Sequence, residues 1–155
     1  MLLHPARGAR AFQLIGLVVA AFCTLVSPAG ADVATLILPA PESSLRSEIL
    51  NAARPTFIAE TGGSIEFVVH RLAVLGDWAF GDVTLQRPGG AAIDWSKTKY
   101  ADQYAYPETT SDITLFLLHR TNTGWEMKAF VIGPTDVAWE AWEKQFQLPH
   151  NLFSE

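Results

Sequence analysis

Cysteine is almost absent. Cys23 is the single one in 155 residues, and it lies inside an apolar N-terminal run, so the remainder of the chain can form no internal disulfide and offers no thiolate nucleophile. A basic block is missing as well. Eleven Lys/Arg are scattered against 16 Asp/Glu, a net charge of −5 at pH 7, which excludes the phosphate-neutralising surface that nucleic acid requires. Catalytic signatures are also lacking: there is no Gly-x-Ser-x-Gly elbow, no HExxH, and no Gly-rich loop leading into a helix. Ser64 merely follows Gly62-Gly63, Gly89-Gly90 after Pro88 reads as a tight turn, and spacing alone pairs neither Asp77 nor Asp82 with a partner. No catalytic residue, metal-ligand set or cofactor is therefore expected.

Only one long apolar run is present, Ala11 to Val26, preceded by Arg7 and Arg10 and followed by Ser27-Pro28 and the small residues Ala29-Gly30-Ala31. This is the pattern of a cleavable export signal, with the cut expected after Ala31. As a helix the run would rise only about 24 Å, less than a hydrocarbon core of roughly 30 Å, which disfavours an uncleaved anchor. Phe22, directly before Cys23, disfavours lipidation, since lipoprotein signals place a small residue there. The expected product is a periplasmic or secreted domain of residues 32–155 with no stable membrane anchor. It keeps nine Lys/Arg against all 16 Asp/Glu, and its length suits one domain.

Within that domain, Thr35 to Leu38 reads as an extended arm or edge strand stopped by Pro39 and Pro41. Ser43 or Ser44 can cap a helix running to about Glu60, whose stripe is Leu45, Ile49, Ala52, Ala53 and Phe57. Pro55 is expected to kink it and Gly62-Gly63 to end it. Two hairpins follow. The first joins Ile65–Leu75 to Trp78–Gln86 through Gly76-Asp77; the second joins Ile113–Arg120 to Trp125–Ile132 through Thr121 to Gly124. In the last strand Trp125, Met127 and Ala129 alternate with Glu126 and Lys128, as a half-buried strand requires. The two hairpins echo each other, each with a His-Arg pair before the turn and a Trp after it, so Trp78 and Trp125 are expected to cover the same side of the sheet. After Gly133-Pro134, Thr135 or Asp136 can cap a final helix whose aromatic face, Trp139, Trp142 and Phe146, closes the open face of the sheet. The class is α+β: an N-terminal helix, about four antiparallel strands in one curved sheet, and a C-terminal helix packed on it.

Three stretches, Gly76-Asp77-Trp78-Ala79-Phe80, Gln86-Arg87-Pro88-Gly89-Gly90 with Ile93-Asp94, and Ile132-Gly133-Pro134-Thr135-Asp136-Val137-Ala138-Trp139, resemble the hallmark segments of a group of small secreted bacterial proteins. That resemblance implies export and no particular activity. More loosely, a helix on antiparallel hairpins, with Gly124-Trp125 opening a strand, is similar to the cystatin-like and NTF2-like folds. The NTF2-like cone implies three helices before the sheet, and this sequence has room for little more than one, which favours the cystatin-like arrangement.

The 26 residues from Arg87 to Asp112 are long for a connection and rich in aromatics. They carry Arg87, Asp94, Trp95, Lys97, Lys99, Tyr100, Asp102, Tyr104 and Tyr106, and are expected to lie over the sheet edge as a lid that either completes the core or contacts a partner. His70 and His119 occupy equivalent places in the two hairpins, where they could approach each other or Asp112, although backbone-bonded histidines are the commoner outcome. The favoured function is a non-catalytic binding module that uses the loop, His119 and an exposed sheet face to hold an envelope protein or a small ligand. The alternative is an NTF2-like ligand pocket or enzyme with His119, Asp112 and a loop tyrosine at its centre. A third reading, a structural envelope component, requires an exposed apolar patch.

Overall fold

In the computed structural model, residues 34–106 and 109–154 are described; the expected signal segment and its cleavage site lie outside them. Helix α1 (Ser44–Thr61) begins where Ser43 takes an extended conformation and its hydroxyl accepts the Arg46 N–H at 3.3 Å, satisfying one of the amides that a helix start leaves open. It ends at Gly62, whose φ of 70° suits a residue without Cβ. The helix runs through Pro55 without a break. Pro55 and Asn51, whose carbonyl loses its partner there, are both exposed, so water can take the vacant acceptor.

Five antiparallel strands follow one another in space as they do in sequence: β1 (Leu36–Ile37), β2 (Glu66–Leu75), β3 (Trp78–Gln86), β4 (Ile113–Thr121) and β5 (Gly124–Ile132). The fifth strand, beyond the four expected, is the short arm before α1, which pairs Leu36 with Leu75 and Ile37 with Val74 before Pro39 removes a donor. The class is α+β, with one sheet between two covering layers. On one face lie α1, through the fully buried Ile49, Ala53 and Phe57, and the 87–112 segment. On the other lie helix α2 (Trp139–Phe146) and the C-terminal turn His150–Leu152, through Trp142, Leu148, Leu152 and Phe153. Thr135 and Asp136 do not cap α2, which starts later, at Trp139. Instead the Asp136 carboxylate accepts the Val137 N–H at 2.7 Å in the preceding turn.

Two bulges set the faces. His70 is an extra residue between Val69, opposite Val83, and Arg71, opposite Asp82; Lys128 is an extra residue opposite the Leu117/Leu118 step. A bulge reverses the in/out alternation. Phe67 and Val69 therefore share the α1 face with Leu72 and Val74, and Trp125 and Met127 share it with Phe130 and Ile132, whereas Ala129 turns to the other side with Val131. The expected simple alternation of β5 is broken at that point. The two turn tryptophans also part company. Trp78 directly follows its two-residue turn and pairs with Leu75, but Gly124 holds the matching position in the second hairpin, so Trp125 falls one residue later and onto the opposite face.

The α1 side of the core is phenylalanine-rich: Phe57 meets Phe67 at 5.9 Å, Phe116 at 6.0 Å and Phe130 at 5.6 Å between ring centres. Phe116 lies flat over Gly81, its cross-strand partner, where an added Cβ would stand 2.1 Å from the ring edge. Full burial of such rings contributes about 2–3 kcal/mol each.

Candidate functional site

Within the 87–112 segment Arg87, Trp95, Tyr100 and Tyr104 are fastened inward. The Arg87 guanidinium donates to the Thr61 carbonyl at 2.7 Å and the Ser64 carbonyl at 3.1 Å, closing the C-terminal end of α1. Trp95 stacks on Tyr104, with ring centres 4.4 Å apart and planes 7° apart, and meets Tyr100 edge-on; all three pack against the α1 core. The Tyr100 hydroxyl donates to the Glu60 carboxylate, which also pairs with Lys99 Nζ at 2.6 Å. Burial raises the Tyr100 pKa, and the Glu60 charge adds to the effect. Burial, joined by the charge of Asp112, pushes Tyr104 up to about 12, and its hydroxyl donates to the Ser111 carbonyl at 3.1 Å. Gln103 donates to the carbonyls of Ile132 and Gly133, both at 2.8 Å, tying the segment to the end of β5.

What this leaves outward is an exposed Asp94–Lys97 pair at 2.7 Å, Asp102, and Tyr106, 65% exposed. A shallow hollow of about 250 Å³ between the segment and β3 is lined by Trp95, Ile93, Thr84 and Asp112 among others, with no lysine or arginine.

His119 is not part of this group. It rests on Trp78, with ring centres 4.5 Å apart, on the sheet face opposite the one that Tyr104 covers. Asp112 precedes β4 at its other end, seven residues away, which is about 23 Å of strand. Nor do the histidines meet. His70 hydrogen-bonds Thr84 at 2.8 Å, while His119 lies opposite Trp78, six residues back along β3 from Thr84. Among the described residues no group of three or more metal-ligating side chains comes together. The space between α1 and the sheet, where a pocket centred on His119, Asp112 and a tyrosine would have to lie, is filled by the phenylalanine cluster. The large exposed apolar side chains, Ile37, Leu38, Ile58, Val68, Tyr106 and Val137, are spread over different elements.

A cleft of about 340 Å³ lies on the other face, between the sheet and the C-terminal segment. Its floor is Phe80 and Asp82 from β3 with Ile113 and Leu115 from β4; its wall is the turn Pro134–Val137 with Trp139 and Phe153; Ser111 closes one end. Phe153 is set edge-on to Phe80 at 5.1 Å and stacked on Trp139 at 5.6 Å with planes 9° apart. Arg71, opposite Asp82 in register, donates to the carbonyls of Asn151 at 3.1 Å and Ser154 at 3.3 Å, holding the wall against the sheet.

Asp82 is the unusual member. Strand alternation places it on the same face as Phe80 and Trp78, and its Oδ1 is enclosed with no hydrogen-bond partner. Burial raises its pKa, the charges of His70 and Arg71 oppose the rise, and Asp112 adds to it. An enclosed acceptor without a donor costs about 1–3 kcal/mol, and a carboxylate in that state attracts N–H groups and cations. Ser111 has no imidazole beside it among the cleft-lining residues. The sequence carried one sign of this site: Asp82 stands at an inward position of an otherwise apolar alternation, Trp78, Phe80, Asp82. The opposing wall, more than 50 residues later in the chain, left none.

No family model matches the sequence, and no curated protein or solved structure matches it.

Proposed function

We propose that the protein is an exported, non-catalytic binding module that holds a small ligand in the cleft between β3, β4 and the C-terminal segment. The observation that carries this reading is Asp82, a carboxylate with one oxygen enclosed and unpartnered, beside Phe80 on the floor of a cleft walled by the Pro134–Val137 turn, Trp139 and Phe153. Concave apolar surfaces with a few convergent polar groups are the usual form of a small-molecule site. An envelope protein docking on the 87–112 segment is the less favoured occupant, because Trp95, Tyr100 and Tyr104 already spend their rings on the core. A single helix laid across antiparallel hairpins supports a cystatin-like arrangement over an NTF2-like cone. Export is proposed from the N-terminal sequence pattern alone.

The test is a protein-observed NMR screen of a fragment collection against residues 32–155. Amide shifts gathering on Phe80, Asp82, Ile113, Val137 and Phe153 are expected. Shifts that gather on residues 94–106 instead would return the ligand to the loop.

A further inference from the structure

We infer that the ligand class is a small organic cation, a protonated amine on a flat apolar body. This deepens the reading of the cleft as the ligand site and depends on it. Asp82 and Asp136 are the only charged side chains lining the cleft, so both formal charges there are negative and no lysine or arginine is present to receive a carboxylate or phosphate. The cations near Asp82 are committed elsewhere: the Arg71 guanidinium donates to the Asn151 and Ser154 carbonyls, and His70 is bonded to Thr84. The charges of His70 and Arg71 offset part of the negative potential at Asp82, while that of Asp112 adds to it. An anion entering here would meet two or three carboxylates in a partly desolvated site, where Coulomb terms are several-fold stronger than in water.

The remaining lining explains the flat body. Phe80 and Phe153 are all but buried, with Phe153 stacked on Trp139; the partly exposed Trp139 and Ile113 and the exposed Val137 supply the accessible apolar wall, along which a flat apolar body can lie. The volume of about 340 Å³ is near the lower end of the range of roughly 300–1,000 Å³ for ligand pockets, so a one- or two-ring amine fits and a larger molecule does not. The ammonium compensates the Asp82 carboxylate, and the apolar body displaces water from the partly exposed Ile113 and Trp139 and the exposed Val137.

Three probes of nearly one shape separate the possibilities: tryptamine, its neutral analogue indole-3-ethanol, and the anionic indole-3-propionate, each titrated into the 32–155 protein at pH 7.5 and followed by NMR and calorimetry. Tryptamine is expected to move the resonances of Phe80, Trp139 and Phe153 and to bind at least tenfold more tightly than the neutral analogue. Asp82→Asn, which keeps the shape of the side chain, should remove about ten- to a hundredfold of tryptamine affinity, the usual worth of a hydrogen bond to a charged group, and leave indole-3-ethanol unaffected. Asp136→Asn should give a smaller loss, and Asp94→Asn, far along the loop, none; the amide spectrum of each variant reports its fold.

Equal cleft binding of the neutral or anionic probe, unchanged by Asp82→Asn, overturns the cation assignment while leaving the cleft as a ligand site. Absence of any shift at millimolar tryptamine also overturns the assignment. Shifts confined to residues outside the cleft would sink the cleft reading itself.

Discussion

Gly81→Ala should be among the most destabilising single-methyl additions in the domain. Gly81 is fully enclosed in β3, and the added Cβ would lie 2.1 Å, 2.3 Å and 2.7 Å from Cζ, Cε1 and Cε2 of Phe116. Carbon atoms pack at about 3.5–4.0 Å, so the ring must retreat by about 1.5 Å. It has nowhere to go: Phe116 is 0% exposed and is met on its far side by Phe57 at 6.0 Å and Phe67 at 6.3 Å. Overpacking of this kind costs about 1–3 kcal/mol and occasionally more, offset by about 0.4–1 kcal/mol because alanine restricts the unfolded chain. The net expectation is a loss of about 2 kcal/mol, which for a domain of this size lowers Tm by about 10 °C.

Urea unfolding followed by circular dichroism gives the free energy, and a double-mutant cycle gives the cause. Phe116→Leu in the Gly81→Ala background should restore part of the loss, with a coupling of at least about 0.5 kcal/mol. A neutral Gly81→Ala, or strictly additive variants, would refute the argument that the glycine exists to seat the ring.

Three further outcomes are expected. At Glu60, burial acts to raise the pKa but the Lys99 ammonium and Tyr100 hydroxyl outweigh it and hold the carboxyl below its ordinary value; the resulting stabilisation is present above the unfolded pKa of about 4.3 and is lost as pH falls through the folded value. Glu60→Gln should therefore be less stable than the parent at pH 7, by about 1 kcal/mol given the solvent-exposed lysine, with the gap closing near pH 3 in denaturant titrations. Asp82 has the opposite sign. Its folded pKa is raised by burial, so the ionised form costs stability above that pKa and the cost disappears as pH falls through it; Asp82→Asn should equal or exceed the parent in Tm at pH 8, and an advantage that fails to shrink toward pH 4 would contradict the burial argument. Finally, mass spectrometry of the exported product should find a chain beginning at Asp32; an N-terminus retaining residues 11–26 would show the apolar run to be an anchor.

Much of the architecture was written locally. Ser43, the Ile49-Ala53-Phe57 stripe and Gly62 fix α1 because capping and 3.6-residue periodicity act within a few residues, and Gly76-Asp77 fixes the first hairpin in the same way. The faces were less legible. A bulge depends on how two strands register and leaves no local mark, so the extra residues His70 and Lys128 reversed the orientation of Val69 relative to Leu72 and of Ala129 relative to Met127. The candidate site was the least legible part. The loop drew notice for its aromatics, yet burying rings and recognising a partner call for the same residue types, and only the stacking of Trp95 on Tyr104 and the bond from Tyr100 to Glu60 show where those rings went.

By itself the sequence determined the composition-level facts and the elements: one cysteine confined to the N-terminal run, no basic surface, a capped helix, two hairpins and an aromatic C-terminal helix, because each of these depends on residue chemistry or on neighbours a few positions apart. The tertiary structure alone decided that one oxygen of Asp82 would be enclosed, that Phe153 and Trp139 would be brought over it from the far end of the chain, and that His119 and Asp112 would be held apart. Those outcomes depend on strand register and on contacts between residues as distant as Arg71 and Ser154, for which a linear pattern carries no periodic signal.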